Sequence, residues 1–225
     1  MTFDDLYIRT IDDLKAAVTE LGFVPFFENS IPGFSIEEHV DPRIWFTQAD
    51  GPWDWKGSVI NDLICAYGKF FEKKAVYISS DWFADFANYR RDGYDFDARY
   101  EDGLAYFKDK RLYDLIDANA PILSKHLKQL GNYRKGGNKG FDTIINRLQA
   151  QGYVLISDFR YMIDRDGNEY GWGVAEYSTP EHFMGKAFTD IVYAVKPEES
   201  FERMFEHLRS ILPGRDEKMI MKLLK

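Results

Sequence analysis

Phe141, Ile144, Ile145 and Leu148 fall at i, i+3, i+4 and i+7, and just past Gly152 the apolar pattern changes from helical to extended. A helix with one buried face that runs straight into a two-stranded ribbon leaves few ways to close a core. The residues before it narrow the choice. Leu112, Leu115 and Ile116 mark a helix over Asp109–Ala118, Pro121-Ile-Leu123 is an extended link, and Ser124 is placed to cap a helix from Lys125 to Leu130. After Gly152, Tyr153–Ile163 is predicted as a strand, Asp164-Arg-Asp-Gly167 as a hairpin turn and Glu169–Tyr177 as the return strand. Helix, short strand, helix, loop, helix, hairpin is the winged-helix order.

The first half repeats this outline loosely. Thr10 opens a helix with Leu14, Val18 and Leu21 inward, and Gly22 stops it. Ser35-Ile-Glu-Glu38 has the spelling of a capping box and predicts a helix of about two turns before Pro42. Ser58–Cys65 reads as a helix, Ala66–Phe71 and Ala75–Ile78 as a hairpin joined by a Glu-Lys-Lys turn, and Trp82–Tyr89 as a helix capped by Ser80. Gly and Asp crowd the stretch Arg91–Gly103, which predicts a loop and the best domain boundary. Toward the end, Thr179-Pro180 restarts a short helix. A last long helix from Pro197 carries Phe201, Met204, Phe205, Leu208, Ile211 and Leu212 inward, and Pro213-Gly214 ends it. The expectation is an α+β fold of tandem winged-helix modules, residues 1–102 and 103–225, with a C-terminal capping helix.

Charge locates the candidate interface. Between Ala120 and Arg147 six cations (Lys125, Lys128, Arg134, Lys135, Lys139, Arg147) face one acid, Asp142, a net of +5 in a chain of net charge −8. Cations gathered beside a helix–hairpin pattern are what a phosphate backbone selects, because each cation brought to a phosphate releases condensed counterions. With Phe141, Ile144, Ile145 and Leu148 inward, Thr143, Asn146, Arg147 and Ala150 share the opposite face, as on a helix that enters a major groove. The loop Arg134-Lys-Gly-Gly-Asn-Lys-Gly140 lies just before that helix, where free N–H groups and the helix dipole would seat a backbone phosphate. It lacks the G-x-x-x-x-G-K-[ST] spacing of a nucleotide-binding P-loop. The hairpin tip, Arg165 between Asp164 and Asp166, has a negative end, so it is expected to complete the sheet and not to grip DNA.

Other features divide between packing and chemistry. Trp53-Asp-Trp55-Lys56 reads as a loop in which one or both Trp plug into the core, with stacking on a displaced base as the functional alternative. Glu28, Glu37 and Glu38 flank the Gly33-Phe34 turn and are acids close in sequence to that Trp pair. The carboxylates Asp92, Asp95, Asp97, Glu101 and Asp102 lack calcium-loop spacing, and His39, His126, His182 and His207 lack ligand spacing. Neither a metal nor a cofactor is expected. Cys65 is the single cysteine and reads as a small buried hydrophobe. No apolar run is long enough for a membrane span and the first residues lack a signal-peptide pattern, so a cytoplasmic protein is expected.

Tyr67-Gly-Lys-Phe-Phe71, Asp85-Phe-Ala-Asn-Tyr-Arg-Arg-Asp-Gly-Tyr-Asp-Phe-Asp-Ala-Arg-Tyr100 and Gly137-Asn-Lys-Gly-Phe-Asp-Thr143 resemble the bacterial AlkZ-related proteins over nearly the full chain. That family is grouped with winged-helix DNA glycosylases, which excise alkylated or crosslinked bases and carry an element similar to Trp53-Asp-Trp55-Lys56. The glycosylases position their hydrolytic water with a Gln-apolar-Gln pair in a loop near the front of a longer chain. Gln149-Ala-Gln151 has that spelling but lies at the end of the predicted recognition helix, so no catalytic role is carried over to it. The resemblance implies winged-helix binding of double-stranded DNA, of repair type, with a glycosylase acting on damaged bases as its finer form. The alternative is a non-catalytic protein–protein interaction module on the same scaffold, which the acidic remainder of the chain suits.

Overall fold

A computed structural model of the chain describes residues 1–45, 50–163, 165–167 and 169–225. In the first half, α1 (Ile11–Leu21) is opened by Thr10, whose hydroxyl accepts from Asp13 N while the Asp13 carboxylate accepts from Thr10 N. β1 (Phe23–Pro25) follows at once, then α2 (Pro52–Leu63), the hairpin β2 (Ala66–Phe71) and β3 (Lys74–Ile78), α3 (Ser80–Arg91) and α4 (Phe96–Glu101). The second half runs α5 (Phe107–Asp117), β4 (Ile122–Leu123), α6 (Ser124–Leu130), α7 (Phe141–Ala150), β5 (Leu155–Ile163) and β6 (Glu169–Ser178). Two short helices, α8 (Pro180–Phe183) and α9 (Lys186–Thr189), lead to α10 (Pro197–Ile211) and α11 (Glu217–Leu224).

The architecture is mixed α and β with two small antiparallel sheets, and the two are wired alike. The orders are β1-β3-β2 and β4-β6-β5, so in each half a short early strand pairs with the second strand of the later hairpin. Phe23 faces Ile78 in the first sheet and Ile122 faces Tyr177 in the second. The β5–β6 ribbon slips register between Ile156 and Asp158 and again between Arg160 and Met162.

Several elements differ from what the sequence predicts. Ser35 Oγ does accept from Glu38 N, but the segment closes as a turn and no helix forms, because Gly33 N and Ser35 Oγ both bind the Glu38 carboxylate. α2 begins at Pro52, so Trp53 and Trp55 lie in its first turns and not in a loop. The Arg91–Gly103 stretch contains α4, capped by the Asp95 carboxylate on Ala98 N. Leu123 and Ser79, not Ser124 and Ser80, stand at the caps of α6 and α3. The turn of the first hairpin is the pair Glu72-Lys73, both at positive φ (48° and 61°), and Lys74 belongs to the strand. Phe201 and Phe205 of α10 are only partly buried, and a further helix, α11, follows Pro213-Gly214.

One apolar core runs through both halves. Polar side chains stitch them together at three places. Gln149 on α7 accepts from Lys69 N on β2 (3.0 Å) and donates to Ile145 O (3.2 Å). Asn88 on α3 donates to Val195 O and to Ser200 Oγ, and Ser200 donates to the buried Asp85 carboxylate (2.8 Å). Arg91, fully buried at the end of α3, donates to Glu181 (2.7 Å), Tyr193 Oη (2.8 Å) and Gly152 O (2.8 Å), with its guanidinium over the Tyr153 and Phe188 rings. The long Asp85–Tyr100 motif is thus a structural hub.

Candidate nucleic-acid interface

α7 buries Phe141, Ile144, Ile145, Leu148 and Gln149, and the first four are the face read from the sequence. Thr143 stands exposed on the other side, and Asn146, Arg147 and Ala150 are half-buried beside it. Gly140, at φ 91°, holds the N-cap position with no side-chain cap. Asp142 occupies the first turn, where it satisfies the helix dipole, and Lys128 comes within 3.8 Å of it while its ammonium lies over the Phe141 ring.

The Arg134–Gly140 loop is ordered by its own backbone. Tyr133 N and Gly131 N close the end of α6, Gly137 N donates to Arg134 O, and Asn138 N donates to Asn132 O (2.7 Å). Gly137 is required at this crossing, because a Cβ there would overlap the Asn132 carbonyl. The expectation that free loop N–H groups cradle a phosphate is therefore corrected at Gly137 and Asn138, whose N–H groups are spent internally. What the loop offers is cations: Arg134, Lys135 and Lys139 are exposed and, among the described residues, none is in an ion pair. Lys125, the second residue of α6, is also exposed.

Arg147 differs from the other cations. Its Nε and Nη2 donate to the two oxygens of Asp109 on α5, both at 2.6 Å, and Asp109 is only 3% exposed. The same guanidinium lies 4.8 Å from the centroid of the Tyr106 ring, at the N-cap of α5. This fork-to-fork pair fixes the angle between α5 and α7. The sequence pattern places Arg147 on the groove-facing surface; in the structure two of its donors are committed to Asp109. Beside the C-terminal end of α7 a cleft of about 360 Å³ is lined by Tyr89, Arg90, Asp92, Arg147, Ala150, Gln151 and Lys225.

Trp55 plugs into the core, with Nε1 donating to Asp50 (3.2 Å). Trp53 is half-buried against Phe26 and Phe27. Lys56, to which the sequence assigns no role, is the chemically unusual member of this group. It is buried with its ammonium 3.6 Å from the Trp53 centroid and 4.6 Å from that of Phe159, and it makes no hydrogen bond or ion pair among the described residues. Burial pushes its ammonium down to about 8, only partly offset by Asp54. Gly57 lets α2 lie against β5, since a Cβ there would meet Asp158 Oδ1 at 2.8 Å.

Two of the acids near the Gly33-Phe34 turn have structural work: Glu37 accepts from Glu28 N and Glu38 from Gly33 N, whereas Glu28 is exposed and joins only through its backbone, whose carbonyl takes the Lys74 ammonium. Gln149 is buried and its amide braces α7 against β2 through Lys69 N and Ile145 O. Arg165 is exposed at the hairpin tip beside Asp166; Asp164 lies outside the described residues. Among the described residues no group of His, Cys, Asp and Glu is arranged to hold a metal ion, and no helix is long and apolar enough to cross a membrane. Cys65 is buried, and burial pushes its thiol up to about 12.

The geometry defines a mixed α/β protein in which a helix and a cation-bearing loop lie together ahead of a β-hairpin. A family model described as AlkZ related matches residues 8–225, so the chain belongs to the AlkZ-related family, and that membership points to a DNA-repair-related role. No curated protein and no solved structure matches the chain.

Proposed function

We propose that the chain is a double-stranded DNA-binding protein of repair type, built on winged-helix modules. In this reading α5, β4, α6, α7 and the β5–β6 hairpin form one module, with α7 as its recognition helix. The like-wired first half forms a second. The observation that carries the reading is the position of Arg134, Lys135 and Lys139, exposed and free of ion pairs among the described residues, directly ahead of the outward face of α7 that bears Thr143 and Asn146. Cations without carboxylate partners are the ones that gain most from phosphate, since no ion pair has to be broken first.

Lys125 and Lys128 extend the same surface along α6, and Arg147 borders it as a positioning group. Excision of a damaged base is the finer form of the proposal. Duplex binding by the purified protein, followed across salt concentrations with and without an alkylated base, tests both levels. Steeply salt-dependent binding supports the DNA reading. Release of the alkylated base supports a glycosylase, and intact DNA at high protein concentration rejects that finer form. Binding to no DNA at low salt returns the protein to the alternative, a protein–protein interaction module.

A further inference from the structure

With Trp55 in the core and Trp53 half-covered, the open aromatic surface lies elsewhere. Among the described residues Tyr106 and Phe107 are the most exposed large aromatic side chains, at 68% and 62%, and Leu104 beside them is 52% exposed. Fully covering such a ring is worth about 1.5–3 kcal/mol, so an adjoining exposed pair offers that gain to whatever stacks on it. Both lie beside guanidinium groups. Arg147 is 4.8 Å from the Tyr106 centroid and Arg111 is 5.8 Å from that of Phe107. Lys108 follows directly in sequence. Of the nearby acids, Asp109 is paired with Arg147 and both Asp97 and Asp114 with Lys110, while Asp102, hydrogen-bonded to Tyr94, and Glu101 keep their charge.

We infer that Tyr106 and Phe107, with Arg111 and Arg147, form a platform on which unpaired bases of the bound DNA stack. Every base has a π-face, so open rings interleaved with cations receive an unstacked strand without regard to sequence. Arg147 makes the platform continuous with α7, because the same side chain touches Tyr106 and sits on the proposed recognition helix. The net positive charge of the neighbouring Ala120–Arg147 segment favours a phosphate-bearing strand as the occupant of this surface over a neutral or basic protein face. The inference rests on the DNA-binding reading and adds the class of DNA structure that is held.

The test compares three labelled probes: a duplex, the same duplex with an unpaired bubble containing 2-aminopurine, and a single-stranded oligonucleotide. The proteins are wild type, the double variant Tyr106→Ala/Phe107→Ala and the ring-preserving variant Tyr106→Phe/Phe107→Tyr. Because both side chains are exposed, thermal unfolding of the double variant should match wild type. Its affinity for the bubble and single strand should fall about tenfold or more, with 2-aminopurine quenching abolished, while duplex affinity changes less than about twofold. The ring-preserving variant should behave as wild type. Bubble and single-strand affinities that are unchanged in the alanine variant, while duplex binding persists, would overturn the platform alone. Wild type that binds none of the three probes would overturn the DNA-binding reading and the platform with it.

Discussion

Arg147 grips Asp109 through two parallel hydrogen bonds of 2.6 Å, joining α7 to α5 across 38 residues of sequence. The carboxylate is buried and the guanidinium one-third exposed, so the two halves of the pair are not equivalent. Removing the arginine strands a buried charge, whereas removing the aspartate leaves a cation that water reaches.

Arg147→Ala is accordingly expected to lower unfolding free energy by about 3 kcal/mol, and Asp109→Ala by clearly less. Urea denaturation of both variants measures this. Equal decreases would show that the two ends of the pair are equally buried.

Lys56 gives a pH signature. Its folded value, about 8, lies below the usual lysine value of 10.5, so between those limits the unfolded chain binds more protons. Stability attributable to Lys56 should therefore rise as pH climbs from about 8 to 10.5. Lys56→Met should leave stability at pH 7 unchanged or raise it by up to about 2 kcal/mol, with the gap to wild type closing at high pH. A variant destabilised by the same amount at both ends of that range would show that the ammonium is not depressed on folding and that the loss lies in packing of the Lys56 stem.

Arg91 serves three acceptors that no shorter or unforked cation reaches together. Arg91→Lys should cost about 3 kcal/mol, seen as a lowered melting temperature, while the refolded protein retains whatever nucleic-acid affinity wild type has. A selective drop in affinity at unchanged stability would move this hub into the binding surface.

Much of this organisation is legible in the sequence where a local period carries it. The α7 stripe, the hairpin after Gly152 and the Thr10 cap need only neighbouring residues. β1 is invisible because three residues, Phe23-Val-Pro25, show no alternation and are fixed by pairing with β3. The Ser35 box misleads since its Glu38 partner serves the Gly33 turn. Among the site residues, exposure of the loop cations follows from their Gly-rich setting. The Asp109–Arg147 grip and the Tyr106–Arg147 stacking have no local signal. Tyr106-Phe107 ahead of Lys108 is visible as aromatics next to a cation, but nothing local says that the rings stay in water.

Arg165→Ala should change duplex affinity by less than about twofold, because the tip of the β5–β6 hairpin carries Asp166 beside it and is built to complete a sheet. A tenfold weakening in an equilibrium binding assay would place the hairpin on the DNA backbone.

Lys135 and Lys139 are proposed to meet DNA phosphates, and the slope of duplex affinity against salt reads this directly. In the double variant Lys135→Gln/Lys139→Gln the log–log slope should flatten by about 0.9 for each phosphate no longer neutralised, with unchanged thermal stability. A slope identical to wild type would mean that these cations touch no phosphate.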